Sequence, residues 1–141
     1  MLNVKLVCVG TLKEAYLRDA VKEYEKRLGA YCRFSTVELK EDSQLPEAVD
    51  VKRSYKIALC VEGKQFSSEG LASKIESAFS ASNELCFVIG SSHGLDDSVK
   101  NAADLRLSVS KMTFPHQLMR VLLLEGVYRC MNIIKGTKYH K

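Results

Sequence analysis

The sequence predicts an α/β protein built on a parallel sheet with helices on both faces. Segments with the apolar pattern of strands alternate along the chain with segments that have helical periodicity. Some of the strands, such as 84–90, are apolar along nearly their whole length, which is typical of strands buried on both faces. The 141 residues, 46% hydrophobic and 27% charged, suit one globular domain spanning residues 1–141.

The first elements are a strand and a helix. Residues 2–9 predict a strand that ends at Gly10. Residues 12–28 predict an amphipathic helix, which Thr11 and Glu14 would start through a T-x-x-E capping box.

The next elements bracket a polar segment. Residues 32–40 and 56–63 predict strands. The span 41–54 is polar and lacks a strong period, so we interpret it as a loop with at most one helical turn after Pro46.

The second half of the chain continues the alternation. Helices are predicted over 67–82, 96–104 and 115–134, and strands over 84–90 and 105–110.

The last helix is apolar around nearly its whole circumference, so it should be buried on all sides. A homodimer with this helix at a two-fold interface explains that pattern, and a wholly buried helix in a monomer is the alternative. Glu125 and Arg129 stand at i and i+4 on it, where they form either an ordinary ion pair or part of a site.

Composition excludes several classes of protein. No apolar run approaches the roughly 20 residues of a membrane span, and the first residues lack the features of a signal peptide. The five cysteines form no C-x-x-C pair and lie mostly among apolar neighbours, which favours reduced core thiols in the cytoplasm. The net charge of +4 permits an anionic partner such as RNA.

Motifs of common enzyme classes are absent from the sequence. It has no phosphate-binding G-x-x-x-x-G-K-[ST] loop, no G-x-G-x-x-G dinucleotide fingerprint and no G-x-S-x-G nucleophile elbow. Its three histidines lack the spacing of metal ligands, so no metal site is predicted.

Three segments remain as candidates for a site. FVIGSSHGL, residues 87–95, takes a buried strand into a glycine-containing turn, where ligands of α/β sheets bind. LSVSKMTFPHQLMR, residues 107–120, leads into a helix whose first N–H groups are free to bind an acceptor, although Ser110 and Thr113 could simply cap that helix. The tail KGTKYHK, residues 135–141, combines basic residues with a tyrosine and a histidine.

Together these segments resemble the carboxyl-terminal half of the RlmH (YbeA) family of SPOUT-class methyltransferases. LVCVGTLKEAY, EYEKRLGAY and IALCVEGKQFSSEGLA are similar to that family too, so the resemblance covers nearly the whole chain. It implies a small α/β domain with a carboxyl-terminal trefoil knot, acting as a homodimer in the cytoplasm. The implied reaction transfers a methyl group from S-adenosylmethionine to N3 of a pseudouridine in 23S rRNA of the assembled ribosome.

The resemblance also implies the site residues. The methyl donor would be bound in the knot by eight residues: Leu59, Gly90, Val109, Ser110, Lys111, Met112, Thr113 and Phe114. His140 would be the general base that removes the N3 proton, with Tyr139 stacking or assisting and Arg129 steadying the anionic ring. Lys138 and Lys141 would hold RNA phosphate. The tail would act in its own subunit or complete the site of the partner, or it would serve only to grip RNA.

Two features depart from the family pattern. Gly90 is followed by Ser91, where relatives usually have a second glycine. The span 41–54 is too short for the helix that relatives place there, so we expect exposed apolar surface or a smaller recognition face.

Two other functions are considered. A non-catalytic RNA-binding or ribosome-associated homodimer would explain the missing helix. A flavodoxin-like ligand binder would need a ligand loop after the first strand, where VGTLKEAY has no enrichment in glycine or hydroxyl residues.

Overall fold

The computed structural model describes residues 2–49 and 54–139. Its centre is a five-stranded sheet in the order β2-β1-β4-β3-β5, in which each pair of neighbours is parallel. The strands are β1 Asn3–Val9, β2 Arg33–Leu39, β3 Ser54–Lys64, β4 Glu84–Ile89 and β5 Leu105–Leu107. The predicted α/β class and parallel sheet are confirmed.

Helices cover both faces of this sheet. They are α1 Ala15–Leu28, α2 Leu45–Ala48, α3 Ser68–Ala81, α4 Asp97–Ala102 and α5 His116–Lys135. Leu6 and Phe87 belong to a buried cluster with residues of α1, α3 and α5. Val7 and Val88 point to the opposite face, where α2 and α4 contribute Leu45 and Val99 to a second cluster. This alternation explains why the central strands are apolar on both faces.

The start of α1 differs from the prediction. The residue that precedes the helix is Glu14, and no side chain caps it, so the capping box with Thr11 is wrong. Hydrogen bonds from Arg18 of the helix and to Gln117 of α5 hold the residues before the helix instead. The Lys13 N–H donates to Gln117 Oε1 at 3.1 Å, and Arg18 Nη1 donates to the two backbone carbonyls before Glu14 at 3.1 and 2.7 Å.

The segment between β2 and β3 is more ordered than predicted. A short 3-10 helix, Asp42–Gln44, runs directly into α2, and Pro46 lies inside the first turn rather than before it. Leu45 and Val49 are almost fully buried against the second cluster, so they cover apolar strand residues. Among the described residues the expected exposure of apolar surface on this face is therefore not observed, and residues 50–53 lie outside the description.

Leu45→Ala is expected to lower the free energy of unfolding by about 2 kcal/mol, the low end for such a truncation, because one short turn can partly collapse onto the space. Urea denaturation followed by circular dichroism measures this loss. Tyr16→Ala is the control, since Tyr16 is 68% exposed and its removal should change the free energy by less than about 0.5 kcal/mol. Equal effects of the two substitutions would show that α2 adds no stability.

Helix α5 packs with one face against the sheet side of the molecule and ends at Gly136, which has a φ of +74°. Its buried apolar residues are Leu123, Leu124, Val127, Cys130 and Met131. Leu118, Val121 and Leu122 remain partly exposed. The second apolar face that the sequence predicts is thus present and lies at the surface of the chain.

Candidate functional site

A cleft of about 620 Å³ opens at the carboxyl ends of β3, β4 and β5. Leu59, Cys60 and Val61 of β3 form one wall, and the loop after β4 forms another. The segment between β5 and α5, together with the first turn of α5, closes the remaining side. This is the edge of a parallel sheet at which ligands bind in α/β proteins.

The structure brings most of the predicted cofactor-binding residues to this cleft. Seven of the eight line it: Leu59, Gly90, Val109, Ser110, Met112, Thr113 and Phe114. Lys111 does not line the cleft, although it lies in the same segment. Residues from three separate strand ends therefore meet around one space, while their role in binding stays a prediction.

Gly90 allows the loop after β4 to fold closely back on itself. A Cβ at this position would lie 2.6 Å from the carbonyl oxygen of Gly94 and 2.9 Å from its carbonyl carbon. Gly94 itself has a φ of +81°, and its N–H donates to the carbonyl of Ser91 at 2.9 Å. The two glycines thus make a tight turn whose backbone faces the cleft.

Ser91 is held by the carboxylate of Asp42, which lies in the 3-10 helix before α2. The Ser91 N–H donates to Asp42 Oδ1 at 3.0 Å, and the Ser91 hydroxyl donates to Asp42 Oδ2. The same hydroxyl oxygen accepts from the His93 N–H at 3.2 Å. Asp42 therefore fixes the cleft loop from a segment 49 positions earlier in the chain.

Strand β5 ends at Leu107, three residues earlier than the predicted strand 105–110, because the chain turns at Ser108. The buried Ser108 hydroxyl donates to the carbonyl of Ser110 at 3.0 Å, and Ser110 Oγ accepts from the Met112 N–H at 3.0 Å. Pro115 precedes α5 without a side-chain cap. Ser110 therefore shapes the cleft wall and does not cap the helix.

An ion pair forms part of the cleft lining. Lys100 Nζ of α4 donates to the carboxylate of Glu62 on β3, and both residues line the cleft. This hydrogen bond holds the pKa of Glu62 below and that of Lys100 above their usual values. Gly63 follows, and a Cβ there would lie 2.7 Å from the Leu107 backbone, so only glycine lets β3 approach β5 this closely.

Two of the predicted catalytic residues, Arg129 of α5 and Tyr139 of the tail, form a separate cluster around Glu125. The Tyr139 hydroxyl donates to Glu125 Oε2 at 2.8 Å, and Arg129 Nε donates to Glu125 Oε1 at 2.9 Å. The Arg129 guanidinium carbon lies 4.9 Å from the centre of the Tyr139 ring, and the Tyr128 and Tyr139 ring centres are 4.7 Å apart. His140 and Lys141 lie outside the described residues, and Lys138 is exposed.

Protonation in this cluster suits Tyr139 as a donor. Burial and the hydrogen bond to Glu125 raise the pKa of Tyr139 above its usual value. Burial alone would raise the pKa of Glu125, but hydrogen bonds from Tyr24, Tyr139 and Arg129 hold it below its usual value. Tyr139 therefore stays protonated near neutral pH and is poorly suited to remove a proton itself.

The cluster is far from the cleft of the same chain. Met119 lines the cleft and Arg129 lies ten residues further along α5, which corresponds to about 15 Å at 1.5 Å per residue. The structure therefore gathers the predicted cofactor-binding residues in one place and Arg129 and Tyr139 in another.

Among the described residues, no group of histidine, cysteine and acidic side chains could hold a metal ion. In the same part of the chain, no helix is both long enough and apolar enough to cross a bilayer.

Comparison with known proteins identifies the family. The model of the family described as predicted SPOUT methyltransferase matches residues 2–140. The chain belongs to the SPOUT methyltransferase family. Ribosomal RNA large subunit methyltransferase H of Clostridioides difficile strain 630 is 42% identical to it over 160 aligned positions, covering 99% of this chain and all of that relative. The protein of the same name from Bifidobacterium adolescentis is 43% identical over 159 positions, with the same coverage.

A solved structure shares the fold of this SPOUT methyltransferase. The structure of a probable methylase family protein from Haemophilus influenzae Rd KW20 superimposes with a TM-score of 0.66, covering 99% of this chain and 71% of that one. The two are 11% identical, so the likeness concerns the fold alone. The alignments to the curated relatives are longer than the 141 residues of this chain, so those relatives contain additional residues.

Sequence reasoning missed Asp42 in this SPOUT methyltransferase. The residue lies in a span that the sequence marks only as polar, and its partner Ser91 is distant in the chain. The two departures from the family pattern, Ser91 and the short 41–54 segment, thus contact each other. The signal in the sequence that could have predicted this contact is the pair of a hydroxyl in the cleft loop, Ser91, and a carboxylate at the start of the shortened segment, Asp42.

If the cleft binds the methyl donor as predicted, Asp42→Ala is expected to weaken that binding about tenfold, because the loop loses two hydrogen bonds to a charged acceptor. Isothermal titration with S-adenosylmethionine measures the effect. Ser91→Ala and the double variant complete a double-mutant cycle in which the losses should not add, since Ser91→Ala removes one of the two hydrogen bonds that Asp42→Ala removes. Additive losses would mean that Asp42 and Ser91 affect the cleft independently.

Proposed function

We propose that this SPOUT methyltransferase transfers a methyl group from S-adenosylmethionine to N3 of a pseudouridine in 23S rRNA of the assembled ribosome. The observation that carries the proposal is the cleft at the carboxyl edge of the sheet, where seven residues predicted to bind the methyl donor converge. The names of the curated relatives support a ribosomal RNA substrate of the large subunit.

The cleft suits S-adenosylmethionine in size and chemistry. Its volume of about 620 Å³ lies in the range of cofactor sites. Leu59, Met112 and Phe114 supply apolar walls for an adenine ring, and Gly90 allows the backbone to approach a ligand closely. When bound, this cofactor supplies an electrophilic methyl group on its sulfonium sulfur.

Positioning and proton removal are the tasks left to the protein. Methyl transfer needs the acceptor nitrogen in line with the methyl group, so the fixed cleft loop and the turn after β5 contribute by alignment. The N3 proton must be removed, and His140 is the proposed general base because imidazole titrates near neutral pH. Tyr139 would stack on the pseudouridine ring. Arg129, Lys138 and Lys141 would hold RNA phosphate or stabilise the negative charge on that ring.

A homodimer through α5 would bring the tail to a cleft. Leu118, Leu122, Glu125 and Arg129 follow at helical spacing along the partly exposed face of α5, opposite the buried Val127. The aliphatic members of this face would pack on the partner, and Glu125 and Arg129 would carry the Tyr139 cluster into the same interface. The distance from the cleft in one chain supports a tail that completes the site of the partner. The trefoil knot and the single domain over residues 1–141 stay predictions.

The test is transfer of labelled methyl from S-adenosylmethionine to ribosomes that lack this modification, with free 23S rRNA in parallel. We expect label at N3 of a pseudouridine in the ribosomes and little in free RNA. Measurable cofactor binding without label would favour the non-catalytic RNA-binding alternative. The main support for that alternative is the missing helix. Leu45 and Val49 are buried and cover part of the sheet despite the short segment, so this support is lost.

A further inference from the structure

A second cavity lies beside α5 and has no lining residue in common with the cleft. It has a volume of about 340 Å³ and is bounded by α1, by β2 and by the loop after β1. Arg120 of α5 contributes to its wall, one helical turn after His116, which lines the first cleft. Both cavities therefore contact the first two turns of α5, where Met119 of the cleft directly precedes Arg120.

Two buried polar atoms in this cavity have no partner. Arg120 is 4% exposed, and its Nη1 donates to Glu38 Oε2 at 2.7 Å. Among the described residues, nothing accepts a hydrogen bond from Arg120 Nε, and nothing pairs with Thr36 Oγ1. Buried polar atoms without partners are rare in folded proteins, and here two of them belong to residues that line one cavity. Together they indicate a bound group that presents hydrogen-bonding atoms.

The cavity lining carries charges of both signs. Glu38 already pairs with Arg120, Glu25 adds a second carboxylate, and Arg18 and Lys22 add two cations. Arg18 Nη1 is already engaged by two backbone carbonyls before α1. Burial raises the pKa of Glu25 above its usual value, as expected for a carboxyl that is partly shielded from water. A phosphate would meet these two carboxylates as well as the cations. A neutral ring with a carbonyl oxygen next to a ring N–H offers an acceptor to Arg120 Nε and a donor to a carboxylate, which suits a lining of mixed charge.

We infer that this cavity binds an unstacked nucleobase of the RNA substrate, a uracil or guanine close to the methylated nucleotide. Arg120 Nε donates to the base carbonyl, a carboxylate accepts from the ring N–H, and Thr36 Oγ1 completes the edge. Recognition of unstacked bases through their hydrogen-bonding edges is a general mode of RNA binding. The inference rests on the proposed function in that it takes the substrate to be RNA.

Thr36→Val tests this role with little change in shape. The hydroxyl has no partner in the free protein, so the variant should keep its melting temperature. We expect KM for the ribosomal substrate to rise about fivefold, with kcat and the affinity for S-adenosylmethionine unchanged, because one hydrogen bond to the substrate is lost. Ser35→Ala is the matched control, since Ser35 is exposed on the neighbouring position of β2 and should leave KM unchanged. An unchanged KM in Thr36→Val would overturn the inference.

A direct binding experiment separates this inference from the proposed function. Uridine, uridine monophosphate, adenosine and inorganic phosphate are titrated into the wild-type protein, and backbone amide NMR signals of Thr36 and Val21 are followed. The inference predicts saturable shifts with uridine and its monophosphate that weaken in Thr36→Val, and little response to adenosine or phosphate. A response to phosphate that equals the response to uridine, or no response to any probe, would overturn it. The outcome does not depend on whether methyl transfer is detected.

Discussion

Gly90→Ala is expected to weaken binding of S-adenosylmethionine about 100-fold and to remove methyl transfer at ordinary cofactor concentrations. The added Cβ would stand 2.6 Å from the Gly94 carbonyl oxygen and 3.0 Å from Leu95 Cδ2. A backbone atom cannot rotate away as a side chain can, so the whole loop must shift. Overpacking of this kind costs up to about 3 kcal/mol, and the cost falls on the wall of the cleft. Isothermal titration measures the affinity, and circular dichroism verifies that the variant is folded.

Gly94→Ala is the matched control for the steric argument. No heavy atom lies within 4 Å of a Cβ at this position, but its φ of +81° is unfavourable for alanine. The expected cost of about 1 kcal/mol corresponds to a loss of about fivefold in affinity. If both variants lost affinity equally, backbone conformation rather than close approach would limit binding. If Gly90→Ala bound normally, the cleft would not be the cofactor site.

The sheet could be predicted from sequence because its signal is local. The predicted strand 84–90 is apolar along nearly its whole length, which by itself indicates burial on both faces. The helices between strands follow from the periodicity of their apolar residues. The start of α1 could not be predicted in the same way. Its capping pattern with Thr11 is a weak local preference, whereas the hydrogen bond from Lys13 to Gln117 joins residues 104 positions apart and decides the local conformation.

The candidate site divides along the same line. The stretch Val109 to Phe114 could be assigned to the site because the family motif and the turn lie in one continuous segment. Asp42 was missed because its contact to Ser91 depends on folding of two distant segments, and a four-residue helix such as α2 is too short to show a period. Thr36 and Arg120 carry no motif, and the structure alone shows that they face one cavity.

His140→Ala is expected to lower kcat for methyl transfer about 100-fold or more, because the N3 proton then has no general base. Gly90→Ala disables the cleft, so the two variants affect different halves of the proposed composite site. If the tail acts across the dimer, the cleft and the tail of one site come from different chains. In that case a mixed dimer of the two variants contains one intact cleft facing one intact tail, whereas a tail acting in its own subunit leaves no intact site.

Mixing the two variants therefore decides between these arrangements. After joint unfolding and refolding, about half of the dimers are mixed and each has one working site, so we expect about one quarter of wild-type activity to return. Each variant refolded alone is the control and should stay nearly inactive. Activity of the mixture no higher than the mean of the two controls would place the tail in the cleft of its own chain. That arrangement would require the segment after Ile134 to turn back over about 15 Å, breaking the Tyr139–Glu125 hydrogen bond of 2.8 Å. Tyr139→Phe, which removes that bond and keeps the ring, would then raise activity, whereas a tail that reaches the partner needs the bond to hold its direction.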